Sequence, residues 1–532
     1  MQPTENAPSH AITQATLAPP LAVDTTAASA DEGLLSALLD QTAGVSRVQR
    51  DGAAVRLHEC TSWAESLRLL FGDNPQISTK DAARLLDVAA SKIETAITQQ
   101  VNAVLHTPQF QALEASWRGL YFLWQRAREE MEYADEYAIE NDRQVRIKVR
   151  VLSVTKQELF NDAVDAVEFD QSVIFKKIYE GEFGQAGGEP FGLLVGDYEF
   201  RNHPNDLDTL ASLAGVGAAS FAPFIAAAAP QFFGVDDFRP FQVRLPQATD
   251  FAGPDSIKWR ALRQAEDSRF LGLTLPRVLM RRPYGIDPLR GDGFRFREDS
   301  ADESSVRRYL WGNAAYALAS VVMRAYAQTG WFAEVRGFER GKDSGGLVTG
   351  LDVDSFGTDR QGIALKSPTD IALGVAEERS FSELGFIPLC TCPGTEYAAF
   401  FSNASAHQPA TFDKAEANTN AQMSAMLQYV LCASRFAHYL KQLCRERIGS
   451  YQSASAIEAE LIRWISDYVT DDPTAPASVK AKHPLRSAEI RVVEIVGRPG
   501  AFQLEMKLVP HYQLDALSAS LRLVHRLEEA PQ

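Results

Sequence analysis

Three short runs in this chain are apolar from end to end, and each lies beside a helical pattern. Gly192–Val195 (GLLV) precedes a helix expected over Asn205–Ser220, and Pro223–Ala227 (PFIAA) follows it. Phe386–Cys390 (FIPLC) follows a second helix, Glu377–Leu384. A strand without polar alternation has water on neither face, so helices must cover the sheet on both sides. Parallel strands also need crossover connections, which the intervening helices supply. The pattern predicts an α/β fold with a largely parallel or mixed sheet covered by helices. Arg146–Val151 (RIKVRV) alternates as a further strand, and a helix over Gly312–Thr329 leads to another at Trp331–Arg336.

The flanks differ from this body. Residues 1–77 form a variable arm, and its first part, Met1–Asp31, has few large apolar residues and is expected to be flexible. Within the arm, Gly33–Gly72 is expected to form one or two helices around a short strand at Ala54–His58. Residues 78–144 are helical. Ala82, Leu85, Leu86, Ala89, Ile93, Ile97, Val101, Val104 and Leu105 recur at three- and four-residue steps until Thr107-Pro108. A second helix, Gln111–Arg128, puts Leu113, Trp117, Leu120, Leu123 and Trp124 on one face, for which core packing is the ordinary explanation. The α/β body occupies 145–410, and residues 411–532 form a separate C-terminal region.

That region begins with a long helix, Asn420–Ser450, and a shorter one, Ile457–Val469. Asp471–Lys482 reads as a linker. Glu489–Val496 and Phe502–Val509, joined by Gly497-Arg498-Pro499-Gly500, read as a β-hairpin. Ile490, Val492 and Glu494 share one face of its first strand, and Arg491, Val493 and Ile495 the other. A hairpin after a linker presents unpaired backbone edges, which favour strand pairing with other chains.

Charge and cysteine content exclude several functions. The 532 residues carry 53 basic and 69 acidic side chains, a net charge of -16. No Lys/Arg block exists to displace phosphate counterions, so nucleic-acid binding is not expected. Five cysteines argue for a reducing compartment rather than a disulfide framework. The N-terminus shows no signal-peptide pattern, and the longest apolar run, Phe221–Phe233, is broken by Pro223 and Pro230. A cytoplasmic chain without direct membrane insertion is expected.

The chemical motifs are weak. Gly337–Asp343 (GFERGKD) has three residues rather than four before its Gly-Lys, and an Asp where a phosphate loop needs Ser or Thr. Gly215 and Gly217 fall late in a helix, away from the strand-to-helix turn of a dinucleotide site. Cys390 and Cys392 share a strand face, but Cys432, Cys444 and His438 sit on one helix at phases that do not complete a zinc set. Ser434 and His438 are one turn apart without a supporting carboxylate motif, which leaves His438 as a core or interface residue. The best enzyme-like grouping is Asp197 and Glu199 after GLLV, with Glu266, Asp267 and Arg269 completing the site of a hydrolase- or transferase-like enzyme. The competing reading is helix caps and ion pairs. No catalytic, cofactor or metal site is predicted.

Several long blocks occur in one order: VNAVLHTPQFQALEASWRGLYFLW (Val101–Trp124), VEFDQSVIFKKIYEGEFGQAGGEPFGLLVGDYEF (Val167–Phe200), FIAAAAPQFFG (Phe224–Gly234) and KWRALRQAEDSRFLGLTLPRVLMRRPYG (Lys258–Gly285). YLWGNAAYALAS (Tyr309–Ser320), SRFAHYLK (Ser434–Lys441) and PHYQLDALSASLRLV (Pro510–Val524) follow. Over Ser78 to Leu523 the chain resembles the large contractile-sheath subunit of bacterial type VI secretion, the TssC (VipB/EvpB) family. The resemblance implies a structural protein that pairs with the small subunit TssB (VipA) and with copies of itself. It also implies a sheath around an Hcp tube, docked on a baseplate and recycled by the ClpV ATPase through TssB. On that reading residues 78–144 form the TssB-pairing region, with Val101, Leu105, Phe110, Trp117, Leu120 and Trp124 as packing residues. Ile490, Val492, Val493, Glu494, Ile495, Gln503, Glu505 and Lys507 belong to the inter-subunit strand pairing. Glu458, Glu460, Asp467, Asp471 and Asp472 form a candidate tube-facing cluster, with Asp370, Glu377 and Glu378 competing.

Overall fold

The computed structural model describes Ser62, Glu65 and residues 79–141, 146–185, 187–285, 294, 296–299, 308–337, 343–354, 367–392, 395, 397–447, 453–472, 474–495, 502–511 and 521–527. The expected helices and strand of Gly33–Gly72 lie outside this set but for Ser62 and Glu65, as do Phe338–Lys342 of the GFERGKD motif and the Gly497–Gly500 turn. The chain divides into two compact units, Met1–Val104 with Gly285–Glu298, and Leu105–Tyr284 with Asp299–Gln532. In the first, helix α1 (Thr79–Leu105, whose last residue belongs to the second unit) leaves Leu86, Val88, Ile93 and Val104 exposed.

The second unit is built on a four-stranded parallel sheet. Its strands are β1 (Leu194–Phe200), β2 (Phe224–Ala228), β3 (Leu271–Leu275) and β7 (Ile387–Pro388), in the order β1-β2-β3-β7. Every residue of β2 and β3 is buried; β2 is wholly apolar, and the one hydroxyl of β3, on Thr274, donates to the Ala226 carbonyl at 3.0 Å. The period-2 pleat sends neighbours into different cores. Ala226 faces Phe232, Trp259 and Phe386 together with α4 (Pro204–Ser220), while Ile225 faces α6 (Ala315–Thr329) on the other side. Between α4 and α6 in the chain come α5 (Ile257–Gln264) and the pair β4 (Val278–Arg281) and β5 (Leu310–Gly312). Helix α2 (Pro108–Asn141) lies on the outside of α6, and its Gly119 makes that approach possible. A Cβ there would stand 2.2 Å from the Tyr316 ring.

Three expected elements differ. Arg146–Val151 is not a strand and pairs with none among the described residues; Lys148 and Arg150 tie it to Glu182 and Glu189 instead, ahead of α3 (Lys156–Asp165). Trp331–Arg336 is not a strand. Its apolar content goes into packing, with Trp331 stacked on Phe436 at 4.0 Å and the Val335 carbonyl taken by Asn403 Nδ2. The long helix expected over Asn420–Ser450 is two, α8 (Ala415–Ser424) and α9 (Leu427–Arg447). The Ser405 amide donates to Ala425 and the Leu427 amide to Asn403, drawing that junction out of helical register. Before them, α7 (Val375–Glu383), β6 (Leu347–Val348), β8 (Cys390–Thr391) and β9 (Ala398–Ala399) complete the body.

The expected C-terminal β-hairpin is present, and a third strand joins it to make a sheet. β10 (Leu485–Glu494), β11 (Phe502–Pro510) and β12 (Leu521–Leu527) are antiparallel, with β11 in the centre. The sheet is not loosely tethered. Helix α10 (Ala454–Ser466) and α9 share one core with the sheet, including Phe436, Leu440, Ile457, Leu461, Ile465, Ile490, Val492, Leu504 and Met506. The predicted linker holds a short helix, α11 (Ala477–Lys482), and the chain is pinned where Leu485 exchanges hydrogen bonds with Tyr468 and Thr470.

Candidate functional site

Helix α2 has two faces of opposite character. The face turned to the body carries small or aliphatic residues: Gly119, Leu123, Ala127 and Ala134 are buried. Leu113, Trp117, Tyr121 and Trp124 are 58%, 65%, 60% and 51% exposed, and Phe110 extends the row. Spacings of three and four residues align these side chains along one face. The core-packing explanation is therefore wrong for Leu113, Trp117 and Trp124, although Leu123 does enter the core and Leu120 is half-buried. The stripe is rimmed by ion pairs, Arg118 with Glu114 and Arg128 with Glu132, and Arg128 lies 5.9 Å from the Trp124 ring. An apolar row framed by charge is what an interaction surface looks like. On α1, Val101 and Leu105 are half-buried.

The second surface is the edge of the C-terminal sheet. β11 pairs residue by residue with β10 on one side and β12 on the other. Gln503, Glu505 and Lys507 thus lie mid-sheet, with no free backbone edge for another chain. Among the described strands the edges belong to β10 and β12. On β10, Ile490 and Val492 point into the core while Arg491, Val493 and Glu494 are exposed and Ile495 lies just past its end. The Val492 amide donates not to β11 but to Glu458 Oε2 of α10, at 2.8 Å.

Glu458 is therefore half-buried against that strand rather than part of an open acidic face. Glu460 is half-buried too, whereas Asp467, Asp471 and Asp472 are exposed. Asp472 accepts from the Thr474 amide and hydroxyl, which lowers its pKa. In the competing candidate Asp370 is half-buried, and desolvation pushes its carboxyl up to about 7 against the lowering pull of Arg277. Glu377 is occupied with the Gly374 amide at 2.9 Å.

The enzyme-like grouping is taken apart by the fold. Asp197 and Glu199 lie within β1, not beyond it. Glu199 is held in a two-pronged pair with Arg277, at 2.6 and 2.7 Å. The Ser116 and Tyr316 hydroxyls bond to Asp197, and although solvent reaches it in this chain, the surrounding protein raises its pKa. Glu266 and Asp267 precede β3 in a sheet whose strands run parallel, so they stand at the opposite end from Glu199. Seven residues of strand separate those ends by roughly 20 Å. Glu266 pairs with Arg269 at 2.7 Å.

His438 is a core residue. Its Nε2 sits 3.0 Å from the Ser220 carbonyl, and burial lowers its pKa to about 3. Cys390 lies in the sheet core, and Cys432 and Cys444 in the C-terminal core, so these thiols share no site. Among the described residues no cluster suited to a metal ion occurs.

Comparison with known proteins points in one direction. A family model described as the EvpB/VC_A0108 tail sheath N-terminal domain (VipB) matches residues 87–407. A second, the EvpB/VC_A0108 tail sheath gpW/gp25-like domain, matches residues 416–527. The chain is 39% identical over 465 residues to the type VI secretion system sheath protein TssC1 of Pseudomonas aeruginosa, covering 86% of this chain and 89% of that protein.

Proposed function

The chain belongs to the EvpB/VipB tail-sheath family of type VI secretion, as its large sheath subunit, and we propose how its surfaces serve that role. The α2 stripe of Phe110, Leu113, Trp117, Tyr121 and Trp124 receives TssB. The outer edge of β10, from Ile490 to Ile495, is the joint to neighbouring sheath subunits. Asp467, Asp471 and Asp472 are the carboxylates left to face basic groups of an Hcp tube. Recycling by ClpV acts through TssB, docking is on a baseplate, and the assembly stands in the cytoplasm. A structural rather than catalytic role is supported by Glu199, Glu266 and His438, each of which is held by a structural partner.

One observation carries this reading. A helix that buries Gly119, Leu123, Ala127 and Ala134 and exposes Trp117 and Trp124 has been built to bind on two sides. Co-expression with TssB and electron microscopy of the product test it. Helical tubes that need both chains are expected, and a monodisperse single chain with no partner is the contrary result.

A further inference from the structure

The contact between Glu458 and the β10 edge goes beyond the assembly role on which it rests. N–H groups on an antiparallel strand alternate between the partner and the outside. Because the Val492 amide bonds to Glu458 instead of β11, the amides of Ala488, Ile490, Val492 and Glu494 face the outer edge. The start of that edge is already occupied, by the exchange between Leu485 and residues 468–470. The open part is therefore the stretch around Val492, and Glu458 reaches its middle.

Helix α10 explains how. Ile457, Leu461 and Ile465 form its buried stripe, so Glu458 lies at the rim of the stripe, over the strand edge. One turn further on the same side is Ile462, which is 42% exposed. A strand laid along β10 would supply a carbonyl to the Val492 amide in place of the carboxylate. A carboxylate over a strand edge also resists adventitious pairing.

We infer that Glu458 is a removable stand-in for the strand of a neighbouring subunit: it satisfies the Val492 amide in the unassembled chain and is displaced when the sheath forms. It raises the threshold for edge pairing, so that pairing waits for a correctly placed neighbour.

The test uses the full chain with TssB, as wild type, Glu458→Ala and Glu458→Gln, with hydrogen exchange at the Val492 amide and the concentration at which sheaths appear. Before assembly, Glu458→Ala should speed exchange at Val492 by about tenfold, the loss of one charge-assisted hydrogen bond. Glu458→Gln, which keeps an acceptor oxygen, should speed it less and report that the fold is intact. After assembly all three should be equally protected, and the alanine variant should assemble at a lower concentration than wild type. Val492 exchange that still depends on residue 458 inside the sheath would overturn the inference, because the carboxylate would then never leave. An unchanged threshold in Glu458→Ala would overturn it as well. Failure of the wild type to form any sheath would instead strike the assembly role, and the stand-in would fall with it.

Discussion

Replacing Trp117 and Trp124 together by alanine separates a binding stripe from a core stripe. The two side chains are 65% and 51% exposed in the chain. For rings that bury up to ~250 Å² each, the area still available to a partner is about 160 and 130 Å². At ~25 cal/mol per Å² that is about 7 kcal/mol as an upper bound. Truncating an interface anchor typically costs ~2–4 kcal/mol, so the double variant should lose about 4–7 kcal/mol of affinity for TssB, a thousandfold or more. Its own stability should move by no more than ~0.5 kcal/mol for each change, as for other surface substitutions. Leu123, on the buried face and 6% exposed, supplies the control. Leu123→Ala should cost ~2–5 kcal/mol of stability through the cavity it leaves. Titration calorimetry with TssB and thermal unfolding of each variant give both numbers. A double variant that binds TssB like wild type, or melts as early as Leu123→Ala, refutes the reasoning.

Glu494→Pro removes an outward-facing donor of β10 without touching a β10–β11 hydrogen bond, so TssB binding should persist while sheaths become short in electron micrographs; full-length sheaths would place the joint elsewhere. Asp370 is raised to about 7 by burial, so the folded chain holds a proton that the unfolded chain releases near pH 4, and its contribution lowers stability as pH rises through that window. Asp370→Asn should therefore raise the melting temperature at pH 8, by the equivalent of up to ~4 kcal/mol, and leave it unchanged below pH ~4. An equal effect at both pH values would show that the carboxyl is not the titrating group. Gly119→Val should give an insoluble chain, since no side chain fits between α2 and the Tyr316 ring, and a normally melting variant would show that α2 can shift.

What could be read in advance follows from what leaves a local trace. β2 and β7 are legible because burial on both faces removes every polar residue from a strand, whereas β1 shows only at Leu194–Val195, since Asp197 and Glu199 break its apolar run. The helices of α1 and α2 were legible from their period. Which face of α2 turns inward was not, because period says only which residues share a face. The signal lay in the small residues Gly119 and Ala127, which mark close packing, rather than in the tryptophans. β12 alternates only in part (LRLVHRL), too weakly to announce a third strand, so the central position of Gln503, Glu505 and Lys507 does not show in the sequence. The break at Ala425–Met426 is made by Asn403 and Ser405, some twenty residues away, and no local pattern encodes it. The enzyme-like carboxylates misled for a similar reason. Glu199 finds Arg277 78 positions later, a partnership visible only once β1 and β3 lie in one sheet.

Electron cryomicroscopy of the tubes formed by this chain with TssB and Hcp tests the central claim most directly. The account predicts TssB density over Trp117, Tyr121 and Trp124, and a strand from a neighbouring subunit along β10 from Ala488 to Glu494. Tubes in which both the α2 stripe and the β10 edge face solvent would contradict it.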